Sequence, residues 1–122
     1  QGVIVCQKFG RCTAYALDAL YDRGFFFVKP GDQVYEGQIV GEHNKDNDIT
    51  VNVIRAKQLT NFRTVNKDDA ARIRPVREMS LEACLEYIQE DELVEITPET
   101  IRMRKRMLRE SDRRKIARQQ RA

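Results

Sequence analysis

The sequence has few of the residues and motifs on which catalysis and cofactor binding usually depend. It has no tryptophan, one histidine and six glycines, and it contains neither a G-x-x-x-x-G-K-[ST] loop nor a G-x-G-x-x-G turn. These absences exclude the common glycine-rich devices that bind nucleotide phosphates. An enzyme would have to rely on His43 beside Asp46 and Asp48, with no serine or cysteine in a nucleophile motif. We therefore predict a binding domain with no catalytic residue and no cofactor of its own.

Cysteine is scarce as well, with three residues and no C-x-x-C pair. An odd number of distant cysteines beside a single histidine has no recognisable zinc spacing, so we expect no metal site. We interpret Cys6, Cys12 and Cys84 as buried, reduced thiols. Residues 46–48 resemble part of a calcium loop but lack its glycine and terminal glutamate, which favours a turn rich in Asx residues.

Long apolar runs are also absent from the sequence. It has no stretch of about 18 apolar residues and no signal peptide, which predicts a cytoplasmic protein without membrane contact. The chain begins with Gln1 rather than Met, so we expect a segment of a longer protein.

What the sequence does contain is charge of opposite sign in its two parts. Residues 101–122 hold ten Lys and Arg against two acids, a net charge of +8, whereas the first 100 residues hold twelve basic and seventeen acidic groups, a net charge of −5. An acidic body repels a polyanion at long range, so a nucleic acid would have to be met by local basic patches. We predict one domain over residues 1–108 and a basic tail over 109–122 that is helical or partly disordered.

Short strands punctuated by glycine dominate the body. "GVIVC" and "RCTAYAL" flank a turn that ends at Gly10, which predicts a hairpin, and the apolar spacing from Ala14 to Tyr21 predicts a short helix that stops near Gly24. "QVYEGQIVGEH", "LVEIT" and "IRMRKR" are typical of further strands. The pattern indicates a β-rich α+β domain with strands in a barrel-like or sandwich-like arrangement.

One amphipathic helix is clear in "SLEACLEYIQEDE", where Ser80 is the predicted N-cap. Its apolar face consists of Leu81, Cys84, Leu85 and Ile88. An acidic stripe beside that face consists of Glu82, Glu86 and Glu90. The stripe is either an ordinary solvated face or a surface that docks on a basic partner.

Residues 49–67 contain no acid at all. Within them, "NVIRAKQLTNFRTVNK" (52–67) combines cations, side-chain amides and a phenylalanine, the groups that bind phosphates, base edges and stacked bases in RNA. The alternative is a hairpin whose apolar residues face the core while its polar residues meet water. If the segment binds RNA, the candidate residues are Arg55, Lys57, Gln58, Asn61, Arg63 and Lys67.

A second basic stretch begins at Arg102. Strand alternation places Ile101 and Met103 on one face, and the opposite face, which would form a cationic ribbon for phosphates, carries Arg102, Arg104 and Arg106. The pair Ser111-Asp112 is a candidate cap for a last helix that carries Arg113, Arg114, Lys115 and Arg118. We expect this end to fray in isolation and to order on an anionic partner, and the alternative is a solubilising tail.

Several long strings carry a family resemblance. They are "YALDALYDRG", "GDQVYEGQIVGEHNKDNDITVN", "KQLTNFR", "LVEITPETIRMRKR" and "LRESDRRK". In this order, over nearly the whole chain, they resemble the C-terminal domain of the TypA/BipA family of ribosome-associated translational GTPases. The sequence departs from that pattern at Asn44-Lys45 and in "TVNKDD" after Arg63, so a role for Lys67 rests on its charge alone.

The resemblance implies a domain that helps to hold a translation factor in the ribosomal A site. In that family the loop corresponding to residues 52–70 reaches toward the peptidyl-transferase region and contacts ribosomal RNA and the acceptor end of transfer RNA, which implies such contacts for Arg55, Lys57, Gln58, Asn61 and Arg63. The tail keeps the spacing of the family pattern, and the resemblance therefore implies phosphate contacts for Arg104, Lys105, Arg106, Arg113 and Arg114.

The resemblance also implies upstream domains in a full-length protein that binds GTP and magnesium. The expected partners are the ribosome, with the large subunit favoured, ribosomal RNA, transfer RNA and those upstream domains, and the expected state is a monomer. The alternative function is a protein-interaction module that docks through the acidic helix 81–90 on a ribosomal protein or on the upstream domains.

Overall fold

Residues 2–56 and 76–121 are described by a computed structural model of the chain. The strands are β1 (Val3–Cys6), β2 (Gly10–Arg11), β3 (Gly24–Phe26), β4 (Gln33–Val34), β5 (Gln38–His43), β6 (Ile49–Val51), β7 (Glu92–Ile96) and β8 (Ile101–Lys105). The helices are α1 (Ala14–Ala19), α2 (Leu81–Tyr87) and α3 (Glu110–Arg121), with a 3₁₀ turn at Tyr21–Arg23.

The main sheet has the strand order β6-β1-β5-β8-β7, with β3 also paired to β5. Strand β1 runs parallel to β6, and the other pairs are antiparallel. The predicted α+β class is confirmed. The arrangement of the described strands differs from the expected barrel or sandwich. They form a main sheet that runs from β6 at one end to β7 at the other, with helices packed on its faces.

The predicted hairpin at Gly10 is wrong. Strand β1 pairs with β5 and β6, whereas β2 pairs only with β4 in a separate two-stranded sheet. All four residues of β1 are buried. A strand that is covered on both faces lies in the interior of a sheet, and β1 accordingly lies between β5 and β6 instead of pairing with β2 across the nearest turn.

The core lies on both faces of the main sheet because successive side chains of β1 point to opposite sides. Ile4 and Cys6 pack in one cluster with Leu17 of α1. Val3 and Val5 pack in the other with Cys84 of α2. The three cysteines are buried and unpaired, as predicted.

Helix α2 begins as predicted, since the Ser80 hydroxyl accepts a hydrogen bond from the Ala83 N–H at 3.1 Å. It ends at Tyr87, so Glu90 lies beyond the helix and the acidic stripe on α2 itself is Glu82 and Glu86. Leu85 is 56% exposed and does not join the predicted apolar face. No helix among the described residues has the length and apolar composition to cross a membrane.

Candidate nucleic-acid interface

The predicted RNA-binding residues divide into two groups. The candidates Lys57, Gln58, Asn61, Arg63 and Lys67 lie outside the described residues. The structure places the remaining candidates, which are Arg55, Arg102, Arg104, Lys105, Arg106, Arg113 and Arg114.

Arg55 is exposed and lies beside an aromatic ring. Its guanidinium carbon is 5.7 Å from the centre of the Tyr15 ring, and its carbonyl accepts a 2.6 Å hydrogen bond from the Thr13 hydroxyl. Thr13 is also the N-cap of α1, where it accepts from the Ala16 N–H. The cap of α1 therefore holds an exposed cation and an aromatic ring together, and the sequence pattern did not single out Tyr15.

The predicted alternation along β8 is confirmed for its central residues. Met103 is buried in the cluster that contains Cys84 of α2, and Lys105 is buried as well. Arg102 and Arg104, which alternate with them along the strand, are half-buried on the opposite face. Both arginines lie near Glu95 of β7, with N···O distances of 3.8 Å from Arg102 and 3.6 Å from Arg104. The two guanidinium groups therefore share one carboxylate, which leaves an excess of positive charge on this face.

Tyr35 completes that group. Its hydroxyl donates a 2.6 Å hydrogen bond to Glu95, and the Arg102 guanidinium carbon lies 5.7 Å from the centre of its ring. The pKa of Tyr35 is raised, mainly by burial and further by the Glu95 carboxylate. The phenol therefore keeps its proton and remains a hydrogen-bond donor. We call Tyr35, Glu95, Arg102 and Arg104 the Glu95 cluster.

Lys105 occupies a different environment from the other predicted cations. Its side chain is 4% exposed, and its ammonium donates to Asp48 at 2.6 Å, Asp91 at 2.9 Å and Glu92 at 2.9 Å. Burial alone would lower the pKa of Lys105, but the three carboxylate hydrogen bonds outweigh it and the pKa is raised. Lys105 is therefore not placed to contact a phosphate in this structure, because its charge is already neutralised inside the domain.

The same carboxylates define the environment of the predicted turn at 46–48. Oxygens of Asp48, Asp91 and Glu92 lie within 4.8 Å of one another, and the Lys105 ammonium stands where a cation would bind. Asp48 also accepts from the Val3 N–H at 2.9 Å, and buried His43 hydrogen-bonds through Nδ1 to the Asn47 carbonyl. These contacts give His43 and Asp48 structural roles.

The basic tail is attached to the domain through the start of α3. The helix begins at Glu110, one residue before the predicted cap, and the Glu110 N–H donates to Glu36 at 3.0 Å. Arg113 donates to the carbonyls of Met107 and Leu108, at 2.9 and 2.6 Å, and burial lowers its pKa. These contacts hold the first turn of α3, so Arg113 is occupied by the helix attachment.

The rest of α3 is exposed and basic. Arg114 pairs with Glu110 at 2.9 Å, whereas Lys115 and Arg118 have no hydrogen bond or ion pair to any described residue. Arg106, exposed just before the helix, donates to the Glu90 carbonyl at 3.2 Å. A groove of about 980 Å³ separates α3 from the sheet, and acids and bases line it together. The exposed outer residues of α3, rather than the groove, present its unpaired positive charge.

Comparison with known proteins identifies close relatives of this chain. A family model described as the TypA/BipA C-terminal domain matches residues 1–110. The chain is 52% identical over 117 residues to the large ribosomal subunit assembly factor BipA of Bacillus subtilis (strain 168), covering 96% of this chain and 19% of that protein. It is 50% identical over 119 residues to the protein of the same name from Salmonella typhimurium, covering 98% of this chain and 20% of the relative. The chain therefore spans about a fifth of the length of these relatives.

Proposed function

Because this chain belongs to the TypA/BipA family and corresponds to the C-terminal domain of its members, we propose that it attaches a longer parent protein to the large ribosomal subunit by binding RNA. The relatives are named large ribosomal subunit assembly factors, which makes that subunit the expected partner. The observation that supports RNA as the ligand is the set of exposed or half-exposed arginines at three places on a body whose first 100 residues are net acidic.

The three places offer complementary contacts. Arg55 lies against Tyr15, an arrangement suited to stacking as well as to phosphate contact. Arg102 and Arg104 present two guanidinium forks on one sheet face, and α3 presents Lys115 and Arg118. Cations fixed on separate elements bind phosphates at a defined spacing, which positions a domain on folded RNA without reading a long base sequence.

Residues 52–67 extend this interface as part of the proposal. We place contacts to ribosomal RNA and to the acceptor end of transfer RNA on Lys57, Gln58, Asn61, Arg63 and Lys67. Arg55, at the near end of this segment, supports the assignment because it is exposed and held by the cap of α1.

The parent protein is proposed to be a cytoplasmic, monomeric translational GTPase that acts in ribosome biogenesis, with GTP and magnesium bound upstream. This chain contains no phosphate-binding loop motif, and the family model that it matches is that of the C-terminal domain. The role left to the chain is attachment and positioning in the ribosomal A site.

Sedimentation with purified ribosomes and separated subunits over a salt series tests the proposal. We expect the 122-residue chain to bind the large subunit, with an affinity that falls steeply with salt because phosphate contacts release counterions. Absence of binding to the large subunit at low salt, or binding that salt does not weaken, would contradict RNA attachment.

A protein-interaction module is the second candidate. Glu82 and Glu86 are exposed on α2, and Glu90 is exposed in the turn that follows it. Changing these three residues to Gln removes the acidic surface while keeping side-chain size. If that variant loses binding to the large subunit and variants of the basic residues do not, the docking interpretation replaces RNA binding.

A further inference from the structure

The Glu95 cluster contains a carboxylate between two cations that are not bound tightly to it. The N···O distances of 3.8 Å from Arg102 and 3.6 Å from Arg104 exceed those of charged hydrogen bonds, whereas the Tyr35 hydroxyl lies 2.6 Å from Glu95. Tyr35, rather than either arginine, therefore holds the carboxylate in place.

Other groups hold the arginines. The Arg102 guanidinium lies over the Tyr35 ring, and Arg102 donates through Nε to the Thr100 hydroxyl at 3.0 Å. Arg104 donates through one terminal nitrogen to the Lys105 carbonyl at 3.2 Å. A guanidinium has five N–H donors, so most donors of each arginine have no hydrogen bond to a described residue.

These donors remain within reach of a ligand. The side chains of Arg102 and Arg104 are 31% and 23% exposed, and that of Glu95 is 37% exposed. An anion that approaches the two guanidinium groups therefore also meets the negative charge of Glu95, since the three groups lie on the same face of β7 and β8.

We propose that Glu95 competes with an RNA phosphate for Arg102 and Arg104, and thereby sets the strength of this part of the interface. The proposal rests on the function proposed above and adds a residue whose charge opposes binding. A phosphodiester offers two oxygens that can accept short hydrogen bonds from the arginines, which the tethered carboxylate does not do. RNA that is also bound by the other basic elements can keep a phosphate on the two arginines against the repulsion of the nearby Glu95 carboxylate, whereas a single phosphate without those contacts binds there more weakly.

The test compares Glu95→Gln with the unchanged chain. The substitution keeps the size of the side chain and an oxygen that can accept from Tyr35, but it removes the competing charge. We expect binding to purified large ribosomal subunits, and to a short RNA duplex, to become about three- to tenfold tighter at moderate salt, the scale of one partly screened charge interaction. Thermal unfolding checks that the variant is folded.

Two further variants separate the explanations. Glu78→Gln removes the same charge from an exposed residue outside the cluster and should leave affinity unchanged. The double variant Arg102→Gln with Arg104→Gln should weaken binding, and adding Glu95→Gln to it should give no recovery.

Each possible result either supports or overturns competition between Glu95 and a phosphate. Tighter binding by Glu95→Gln alone supports competition. Equal gains in affinity from Glu95→Gln and Glu78→Gln would mean a general effect of net charge. Weaker or unchanged binding by Glu95→Gln would mean that the carboxylate positions the arginines or lies outside the contact. Either result overturns the inference and leaves the proposed attachment to RNA standing. Failure of the unchanged chain and all variants to bind either probe refutes the proposed function, and the inference fails with it.

Discussion

The Lys105 ammonium lies 2.9 Å from a carboxylate oxygen of Glu92, and the two side chains are 4% and 2% exposed. The pair joins neighbouring positions of β7 and β8, where Glu92 is directly opposite Lys105 in the antiparallel register. Asp48 contacts the same ammonium, although it lies just before β6, the strand at the opposite end of the main sheet from β7. One cation thus connects strands that are distant in the sequence.

Lys105→Met should destabilise the domain by about 3–5 kcal/mol, because it leaves the Glu92 carboxylate buried without its partner. Urea unfolding followed by circular dichroism measures the free energy of unfolding. Lys115→Met, on the exposed part of α3, is the matched control and should change stability by less than about 0.5 kcal/mol. Similar small effects of both substitutions would show that the buried ammonium is not a structural requirement.

Stability should fall at alkaline pH. The pKa of Lys105 is raised in the folded state above its ordinary value of 10.5, so the folded state keeps a proton that the unfolded state loses. The contribution is complete below pH 10.5 and is lost as pH rises through the folded pKa. Burial also raises the pKa of Tyr87, to about 12, which acts in the same direction.

Urea unfolding at several pH values from 9 to about 12 checks this expectation. Lys105→Met should show a shallower fall in stability over that interval than the unchanged chain. Parallel pH profiles for the two proteins would assign the alkaline loss to other groups.

The thiols should be unreactive in the folded protein. Burial raises the pKa of Cys12 to about 12 and raises the pKa of Cys6 and Cys84 as well, and a thiol reacts as its thiolate. Ellman's reagent at pH 8 should modify none of the three rapidly in the native chain and all three in denaturant. Rapid modification of one thiol without denaturant would place it outside the core.

Gly37→Ala should be more damaging than Gly31→Ala. Both glycines have a left-handed φ, +92° and +93°, so both substitutions carry a backbone cost of about 1–2 kcal/mol. A Cβ at Gly37 would lie 2.7 Å from the Cα and the carbonyl oxygen of Leu108, whereas a Cβ at Gly31 meets nothing within 4 Å. We expect a further loss of about 1–3 kcal/mol at Gly37 from this overlap.

Thermal and urea unfolding of the two variants measure that difference. Gly31→Ala serves as the control for backbone strain, since its φ is nearly the same. Because only Arg109 separates Leu108 from the start of α3 at Glu110, Gly37→Ala should also make the tail more susceptible to limited proteolysis. Equal losses in the two variants would refute a specific contact between Gly37 and the start of the tail.

Lys57→Ala combined with Arg63→Ala should weaken binding to the large ribosomal subunit by at least about tenfold, since two charged contacts are lost. The chain should remain folded. Sedimentation at fixed salt measures the affinity, and circular dichroism verifies the fold. Arg23→Ala combined with Lys29→Ala is the control, because it removes the same charge from exposed positions elsewhere. Unchanged binding by the first pair would refute the assignment of residues 52–67.

Much of the local structure could be predicted from the sequence. The Ser80 cap, the start of α2 and the alternation of Arg102, Met103 and Arg104 depend on residues only a few positions apart, so their periodicity is visible in the chain itself. The burial of the three cysteines was predicted from their odd number and from the absence of a zinc-type spacing, and it is confirmed. The resemblance to the TypA/BipA C-terminal domain was carried by long strings and is confirmed by the family model.

Contacts between distant residues were decided only by the tertiary structure. The family resemblance implies a phosphate contact for Lys105, but strand register brings its side chain to Glu92 and sheet order brings it to Asp48, 57 positions away. Register likewise placed Glu95 beside Arg102, and the fold brought Tyr35 to both. A sequence pattern shows which face of an element a side chain occupies, whereas the charge that meets it there depends on how the elements pair.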